Sequence, residues 1–358
     1  MADFVPFRIQ VDSQILQLLE AISRRQGELS AHQRNIRDDV EIESIAAIDA
    51  VHFSTKIEGN TLTRDQVTEA LQSRRAKATT RDLYEVLNYS QARRMVREWS
   101  AMGKQFNDEW VLEHHAALLK GIVRGKLRGH YRDAQCVIKD SGSRAIVYMA
   151  PESKDVSELM HRLLLWLRQQ KTTGASPLLL AAQFHFEFVT IHPFMDGNGR
   201  LARLLSNGIL LAGNYDVERY AALEKQHERD RTSYYKALRT LQSGNYYDIP
   251  QGRGIRSWVS YWLKCLLATY DEALTRISGA RPASAGELSG GLENRVSKAE
   301  SLFKRHKKLK ASEYSDLMGL ARTQAVADLN ELVRLGILER VGGGRSTVYR
   351  IIVMKGAK

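Results

Sequence analysis

Apolar residues recur at helical spacing along most of this chain, and this periodicity limits the fold more than any other feature of the sequence. Ile15, Leu18 and Ile22 share one face of a helix, and Leu159 and Leu163 lie on one face of another. Similar spacing is found in most segments between the two termini. The sequence therefore predicts a mainly α protein.

One stretch departs from the helical period. Residues Cys136 to Pro151, CVIKDSGSRAIVYMAP, contain two short β-prone runs around a Ser-Gly-Ser turn. Pro151 ends the second run, because proline cannot donate a hydrogen bond to a sheet. We predict a β-hairpin here, and it is the one clear strand pair before residue 330.

Composition changes near residue 280, where SGARPASAGELSGGLENR is rich in Gly, Ser and Ala and lacks periodicity. Such a segment is typical of a linker. Beyond it the pattern predicts three helices and a hairpin around three glycines, which is similar to a winged helix. We divide the chain into an N-terminal helical region at 1–75, a larger domain at 76–275, a linker at 276–292 and a small winged-helix (α+β) domain at 293–358.

The formal net charge of +12 indicates anionic partners. Beyond residue 280, 15 Lys and Arg residues stand against 8 Asp and Glu residues, which is more than half of the excess. DNA is therefore a candidate partner of residues 293–358, although winged helices also contact proteins. The residues expected at the DNA are Arg322, Thr323 and Gln324 at the start of the recognition helix and Arg345 at the wing tip.

The N-terminal sequence MADFVPFRIQ lacks the pattern of a secretory signal, and no apolar run approaches the roughly 20 residues of a membrane helix. Cys136 and Cys265 are far apart and lack metal-ligand spacing, so we predict buried free thiols. We expect a cytoplasmic protein without membrane attachment. Homo-oligomer formation stays open.

The stretch Ile191 to Leu205, IHPFMDGNGRLARLL, is dense in polar and glycine residues. Gly197, Gly199 and Ala202 satisfy a dinucleotide fingerprint, but that fingerprint needs a preceding strand within a βαβ unit. Pro177 instead favours a helix before the motif, although FHFEF within that segment alternates like a strand. A plain turn between two helices would explain the glycines and nothing else.

A glycine-rich loop that leads into a helix presents backbone N–H groups to an anion, and phosphate is the obvious ligand. Arg200, Arg203 and Asn207 would share one face of the following helix and leave the other to pack. Asp196 suits a magnesium ion that bridges phosphates. His192 suits proton transfer from an incoming hydroxyl. The residues together predict phosphoryl or nucleotidyl transfer.

The run HPFMDGNGRLAR, His192 to Arg203, matches in full the signature HPFx[DE]GNGRxxR, and by it the chain resembles the Fic family. Fic enzymes typically transfer AMP from ATP, with Mg²⁺, to a Ser, Thr or Tyr hydroxyl of a protein. The resemblance implies a Fic-type helical core and a protein adenylyltransferase that acts on a target protein or on itself. It also implies ATP as substrate and Mg²⁺ as cofactor.

The same resemblance assigns roles to single residues. It makes His192 the base and Asp196 the metal ligand, while Phe194 is a core anchor. The phosphate ligands that it implies are Gly197, Asn198, Gly199, Arg200 and Arg203.

The hairpin at 136–151 corresponds to the family's flap, on which a strand of the target protein docks. The nucleotide-binding part of the flap is expected at Ile138, Lys139, Asp140 and Ser141. On the adenine side the resemblance implies Tyr234, with Gln242 as a polar partner.

A second motif, STKIEGN at Ser54 to Asn60, resembles the inhibitory [ST]xxxE[GN] helix of the family, expected at about 45–60. An ordinary helix end at Gly59 would also explain it. A glutamate near the C-terminal end of a helix benefits from a cationic partner. In the family pattern that partner is Arg203, so Glu58, with Ser54, is expected to inhibit the enzyme.

Two other functions stay open on the sequence alone. One is a DNA-binding regulator in which the Fic activity is secondary. The other is a Fic enzyme that uses a different donor or removes AMP from its target.

Overall fold

The computed structural model describes residues 4–32, 36–73, 80–123, 125–139, 145–242, 244–250, 252–279, 302–303, 306, 308–334, 338–342 and 347–351. The chain separates into two compact units, one of Met1–Gln33 with Glu41–Gly279 and one of Arg34–Val40 with Ala280–Lys358. Three predicted site residues, Asp140, Ser141 and Arg345, lie outside the described residues, as does most of the predicted linker.

The prediction of a mainly helical protein is confirmed. The helices described before residue 280 are α1 (Ser13–Ala31), α2 (Ile36–Ile57), α3 (Arg64–Ser73), α4 (Thr80–Ala101), α5 (Asp108–Leu118), α6 (Ser153–Thr172), α7 (Pro177–Ile191), α8 (Asn198–Ala212), α9 (Leu223–Arg229), α10 (Arg231–Arg239) and α11 (Arg256–Gly279). Residues 276–279, assigned to the linker by composition, still belong to α11. None of the helices in the described residues is both long and apolar enough to cross a membrane.

Helix α7 forms the centre of the larger unit and packs against α6, α8 and α11. It begins with Pro177 in its first turn and is buried from Leu180 to Ile191. The FHFEF segment, which alternates like a strand, is therefore helical. Its polar residues, His185 and Glu187, are buried together with its phenylalanines, so the alternation does not mark a solvent-facing side. A helix before the glycine-rich motif excludes the dinucleotide-binding arrangement.

The predicted hairpin is present as strands β1 (Val137–Lys139) and β2 (Ile146–Met149), which pair antiparallel with Ile138 opposite Tyr148. A third strand, β3 (Gly244–Asn245), pairs parallel with β2. The sequence analysis missed β3 because a two-residue strand has no periodicity. The strand order β1-β2-β3 makes β1 an edge strand.

The smaller unit contains β4 (Lys308–Leu309), α12 (Ala311–Met318), α13 (Arg322–Arg334), β5 (Leu338–Val341) and β6 (Val348–Ile351). Its sheet has the order β4-β6-β5. Phe303, Tyr314, Leu329 and Tyr349 are among its buried core residues. The first of the three helices predicted after the linker, in the basic run RVSKAESLFKRHKKL, does not include the last two residues of that run, because Lys308 and Leu309 pair with β6. The winged-helix assignment itself stays a prediction.

Candidate active site

A cavity of about 670 Å³ lies between the flap, the C-terminal end of α7 and α10. Ligand pockets commonly measure about 300–1,000 Å³, so the cavity is large enough for a nucleotide. The predicted site residues that line it are Glu58, Ile138, Lys139, His192, Gly199, Tyr234 and Gln242. The sequence motifs therefore meet at one cavity.

His192 follows the last residue of α7 and has a left-handed backbone with φ 51°. Its Nδ1 lies 3.2 Å from the carbonyl of Val189. A carbonyl can only accept, so this bond requires the proton on Nδ1 and leaves Nε2 as the acceptor. Burial lowers the pKa of His192 to about 4, and the nearby charge of Arg132 acts in the same direction, while Val189 and Glu58 oppose it. At neutral pH the ring is uncharged and able to take a proton.

The loop between α7 and α8 is fixed by its own side chains. Asn198 accepts from the N–H of Phe194 at 3.0 Å and donates to the carbonyl of Phe194 at 2.7 Å. The Phe194 ring is buried and stacks on His115 with centroids 3.6 Å apart, as expected of a core anchor. Gly197 begins α8 with φ 84°, a conformation that L side chains rarely adopt. The backbone around the motif is thus held before any ligand binds.

His115 supports the same loop and was not found from the sequence. Its Nδ1 accepts from the N–H of Gly129 at 3.0 Å, so its Nε2 carries the proton and donates to the carbonyl of Asp196 at 3.1 Å. Burial lowers the pKa of His115 to about 4, which keeps it neutral in this role.

Arg203 is almost fully buried and binds residues of the STKIEGN segment with several donors. Its Nη2 lies 2.9 Å from Glu58 Oε1, and its Nε donates to Ser54 Oγ at 2.9 Å. Nη2 also donates to the Ser54 carbonyl at 2.9 Å. Glu58 is the first residue after α2, so a single helix end brings both Ser54 and Glu58 to Arg203.

Glu58 also approaches the first turn of α8. A Cβ added to Gly199 would lie 2.3 Å from Glu58 Oε1, so the carboxylate rests directly against the glycine backbone. The N-terminal end of a helix attracts anions through its unpaired N–H groups and its dipole. In this structure a protein carboxylate is the anion at that end of α8.

Asp196 belongs to a cluster of alternating charges with Arg81, Glu85 and Arg200. Its Oδ1 lies 2.7 Å from Arg200 Nη2, and its Oδ2 lies 3.1 Å from Arg81 Nη2. Glu85 contacts both arginines, at 3.2 Å from Arg81 and 3.3 Å from Arg200. Asn60 donates to the other oxygen of Glu85 at 2.9 Å. The end of the STKIEGN segment is therefore connected to the charges around Asp196.

The prediction that one face of α8 binds and the other packs needs correction. Arg200 and Arg203 are buried as deeply as the leucines of α8. Asn207 donates to Glu224 at 3.2 Å, away from the cavity lining. The polar face is covered as well, by the end of α2 at Arg203, by Glu85 of α4 at Arg200 and by Glu224 of α9 at Asn207.

The two residues predicted on the adenine side, Tyr234 and Gln242, both line the cavity. Tyr234 is 1% exposed, and its hydroxyl lies 3.4 Å from Arg203 Nη1 and 3.1 Å from His185 Nε2. Tyr235, which the sequence analysis did not single out, lines the same cavity and is 37% exposed. Gln242 donates to Thr190 at 3.0 Å. Of the two tyrosines that line the cavity, Tyr235 is therefore the more exposed.

Both cysteines are free, as predicted. They are half-buried instead of fully buried, and Cys136 contributes to the cavity wall at the start of β1.

Comparison with known proteins identifies similarity over the region that carries this site. Residues 105–210 match the model of the Fic/DOC family. The chain is similar to a protein adenylyltransferase Fic of Culex quinquefasciatus, 29% identical over 255 residues that cover 70% of this chain and 46% of that protein. A protein adenylyltransferase Fic of Drosophila grimshawi is 28% identical over 62% of this chain and 41% of its own length. The chain thus spans less than half the length of these two relatives.

A solved structure extends the likeness of the fold. A Fic family protein from Desulfovibrio desulfuricans is similar with a TM-score of 0.63 and 24% identity, over 99% of this chain and all of that one. The helical core described above is therefore of the Fic type.

Proposed function

We propose that this chain, whose residues 105–210 match the Fic/DOC family model, is a protein adenylyltransferase that moves AMP from ATP to a protein hydroxyl. The observation that supports this most is the position of His192. Its Nε2 is unprotonated, and His192 lines the same cavity as Gly199 at the start of α8. A base and an anion site in one cavity fit nucleotidyl transfer better than binding alone.

The reaction uses the groups of this chain in distinct roles. The target hydroxyl gives its proton to His192 Nε2 while its oxygen bonds to the α-phosphorus of ATP. The bond from that phosphorus to the bridging oxygen breaks, and pyrophosphate leaves. Gly197, Asn198 and Gly199 supply backbone N–H groups to the phosphates, and Arg200 and Arg203 stabilise their charge.

The donor set at Asp196 fits a magnesium ion. No group of three or more His, Cys, Asp or Glu side chains suited to a metal occurs among the described residues. Mg²⁺ in nucleotide sites commonly takes only one or two protein carboxylates and completes its octahedron with phosphate oxygens and water. Asp196 would hold the ion, which when bound neutralises phosphate charge. Arg81 would have to release Oδ2 of Asp196 for this to happen.

We further propose that Glu58 keeps the enzyme inhibited. Its carboxylate pairs with Arg203 and rests against Gly199, so it competes with a phosphate for both an arginine and a helix N-terminus. ATP would then bind with its α-phosphate out of line with the target hydroxyl. Ser54 supports this inhibited arrangement through its two hydrogen bonds with Arg203.

Intact-mass analysis after incubation with Mg²⁺ and each nucleoside triphosphate tests the proposal. Glu58→Gly is the form to use, because the wild-type enzyme is expected to be slow. An added AMP on the protein itself or on a supplied target supports adenylyl transfer, and a different added mass would identify another donor. AMP removed from a pre-modified protein would support the opposite reaction.

A second candidate function, DNA binding by residues 293–358, is favoured by basic side chains of the smaller unit. Arg322 and Thr323 are exposed at the start of α13, and Lys308 and Arg340 are exposed on the strands. Side chains at a helix start are those that reach base edges in helix-turn-helix proteins. DNA binding would bring the transferase to a nucleic acid, or it would let the protein regulate its own synthesis.

A further inference from the structure

Arg132 lies just before the flap and is 3% exposed. Its guanidinium donates to three backbone carbonyls, through Nε to His192 and through Nη1 to Ala134, both at 2.9 Å, and through Nη2 to Pro151. Its own N–H donates to the carbonyl of Pro193 at 2.9 Å. Ala134 precedes β1 and Pro151 follows β2. One side chain thus joins both ends of the flap to the residue that carries the base.

These bonds are an unusual use of a buried cation. Buried charges are normally paired with an opposite charge. Among the described residues, the hydrogen bonds of the Arg132 guanidinium go to carbonyls, and no ion pair with a carboxylate is found. Burial accordingly lowers the pKa of Arg132. What the site uses is the planar fork of arginine, which can serve several acceptors at fixed angles.

The backbone at His192 needs such support. Its φ of 51° and ψ of 59° lie in the left-handed region, which residues with a side chain seldom occupy unless their surroundings hold them there. Arg132 binds the carbonyls of His192 and of Pro193, the two that follow this turn. The turn determines where the imidazole lies in the cavity.

We propose that Arg132 is a positioning residue that holds the base and the flap in one fixed geometry, so that a hydroxyl on a strand docked at the flap reaches Nε2 of His192. The inference rests on the proposed transfer reaction. Lysine cannot replace Arg132, because a single ammonium cannot serve three carbonyls held at the angles of a guanidinium.

The first test measures transfer kinetics in the Glu58→Gly background. Arg132→Lys and Arg132→Gln are both expected to lower kcat on the order of a hundredfold, because a displacement of about 1 Å costs that much. The KM for ATP should change little, since Arg132 touches no predicted phosphate ligand. The matched control is Arg168→Gln, which removes an arginine that donates to the carbonyl of Phe106 at 3.2 Å. It should leave kcat unchanged.

The second test follows the ring of His192 by NMR titration and needs no turnover. The charged groups that act on the ring are Arg132 and Glu58. In the Glu58→Gly background only the positive charge remains, and it disfavours the imidazolium. Arg132→Gln should therefore raise the pKa of His192, whereas Arg132→Lys should leave it nearly unchanged while still losing kcat.

The outcomes separate the two proposals. An inactive Glu58→Gly parent would contradict the proposed function, and the titration would still test Arg132. Parental kcat in Arg132→Lys, or an unchanged pKa of His192 in Arg132→Gln, would overturn the positioning role. Loss of ATP binding in step with kcat would also overturn it, because that pattern indicates general structural damage.

Discussion

At the scale of single residues, the site combines a histidine kept neutral by burial with a carboxylate that is paired to two arginines. His192 has a pKa lowered to about 4, so it is unprotonated over the whole physiological range. Asp196 pairs with Arg81 at 3.1 Å and with Arg200 at 2.7 Å. We expect the two groups to serve different tasks, proton acceptance by His192 and cation binding by Asp196.

His192→Ala is expected to lower transfer by about a hundredfold to ten-thousandfold, the usual contribution of a general base. ATP binding should be largely kept, because the imidazole acts on the target hydroxyl and does not hold the phosphates. Radiolabelled transfer and calorimetric ATP binding, both in the Glu58→Gly background, measure the two effects. His32→Ala, at an exposed histidine after α1, is the control. Equal loss of binding and turnover would contradict the role.

Arg81→Ala should lower the Mg²⁺ concentration needed for half-maximal ATP binding, because the Arg81 guanidinium competes with the metal for Asp196 Oδ2. Its side chain is 61% exposed, and exposed ion pairs contribute about 0.2–1 kcal/mol, so the shift should not exceed about fivefold. Mg²⁺ titrations monitored by calorimetry measure it. Arg25→Ala, which breaks an exposed pair with Asp271 at 2.9 Å, should cause no shift. A higher Mg²⁺ requirement in Arg81→Ala would show that Arg81 assists the metal.

At the scale of elements, the end of α2 reaches two parts of the site at once. Glu58 binds Arg203, while Asn60 binds Glu85 of α4, which in turn contacts Arg200. A movement of this helix end would therefore change the surroundings of both arginines together. The Glu58–Arg203 ion pair is one side of a small polar network that spans three helices.

Glu58→Gly is expected to raise AMP transfer on the order of a hundredfold, with a smaller effect on ATP affinity, because it frees Arg203 for the γ-phosphate. Arg203→Ala should not reproduce the gain, since it breaks the ion pair but also removes the phosphate ligand. The double variant should resemble Arg203→Ala alone. Transfer assays on the four proteins test this order. An unchanged Glu58→Gly would refute inhibition by Glu58 even if the chemistry of His192 holds.

The elements that sequence predicts well are those with local signals. Helix α8 follows the glycine-rich loop of the HPFMDGNGRLAR motif, and α7 starts at Pro177. Both helices were therefore expected in the right places. Arg132 and His115 were missed because their partners are far along the chain, 60 residues for Arg132 and His192 and 81 for His115 and Asp196. A single arginine before a predicted hairpin carries no pattern of its own. Only the packing of α5, the flap and α7 gives it a role.

At the scale of the whole molecule, two compact units carry different chemistry. The first contains the cavity and the C-terminal end of α2, and the second contains a small sheet with exposed basic residues. The excess of basic residues beyond residue 280 indicated this division, because the net charge of a segment can be counted from the sequence without knowing its fold. Where α11 ends was not predictable, since its last turn, Arg276 to Gly279, resembles the glycine- and serine-rich sequence that follows.

If the smaller unit binds DNA, the full-length protein should bind duplex DNA with an affinity that falls steeply with salt, because each phosphate contact releases counterions. The logarithm of the binding constant should decrease with the logarithm of salt by about 0.9 per contact. Arg322→Ala, at the exposed start of α13, should reduce that slope by about one contact. Lys154→Ala removes an equal charge from a lysine that is 74% exposed in the larger unit, and should leave the slope unchanged. Gel-shift titrations between about 50 and 200 mM salt measure these slopes. If no complex forms at the lowest salt, the basic surface of this unit serves contacts with protein, and the transferase is not directed to DNA.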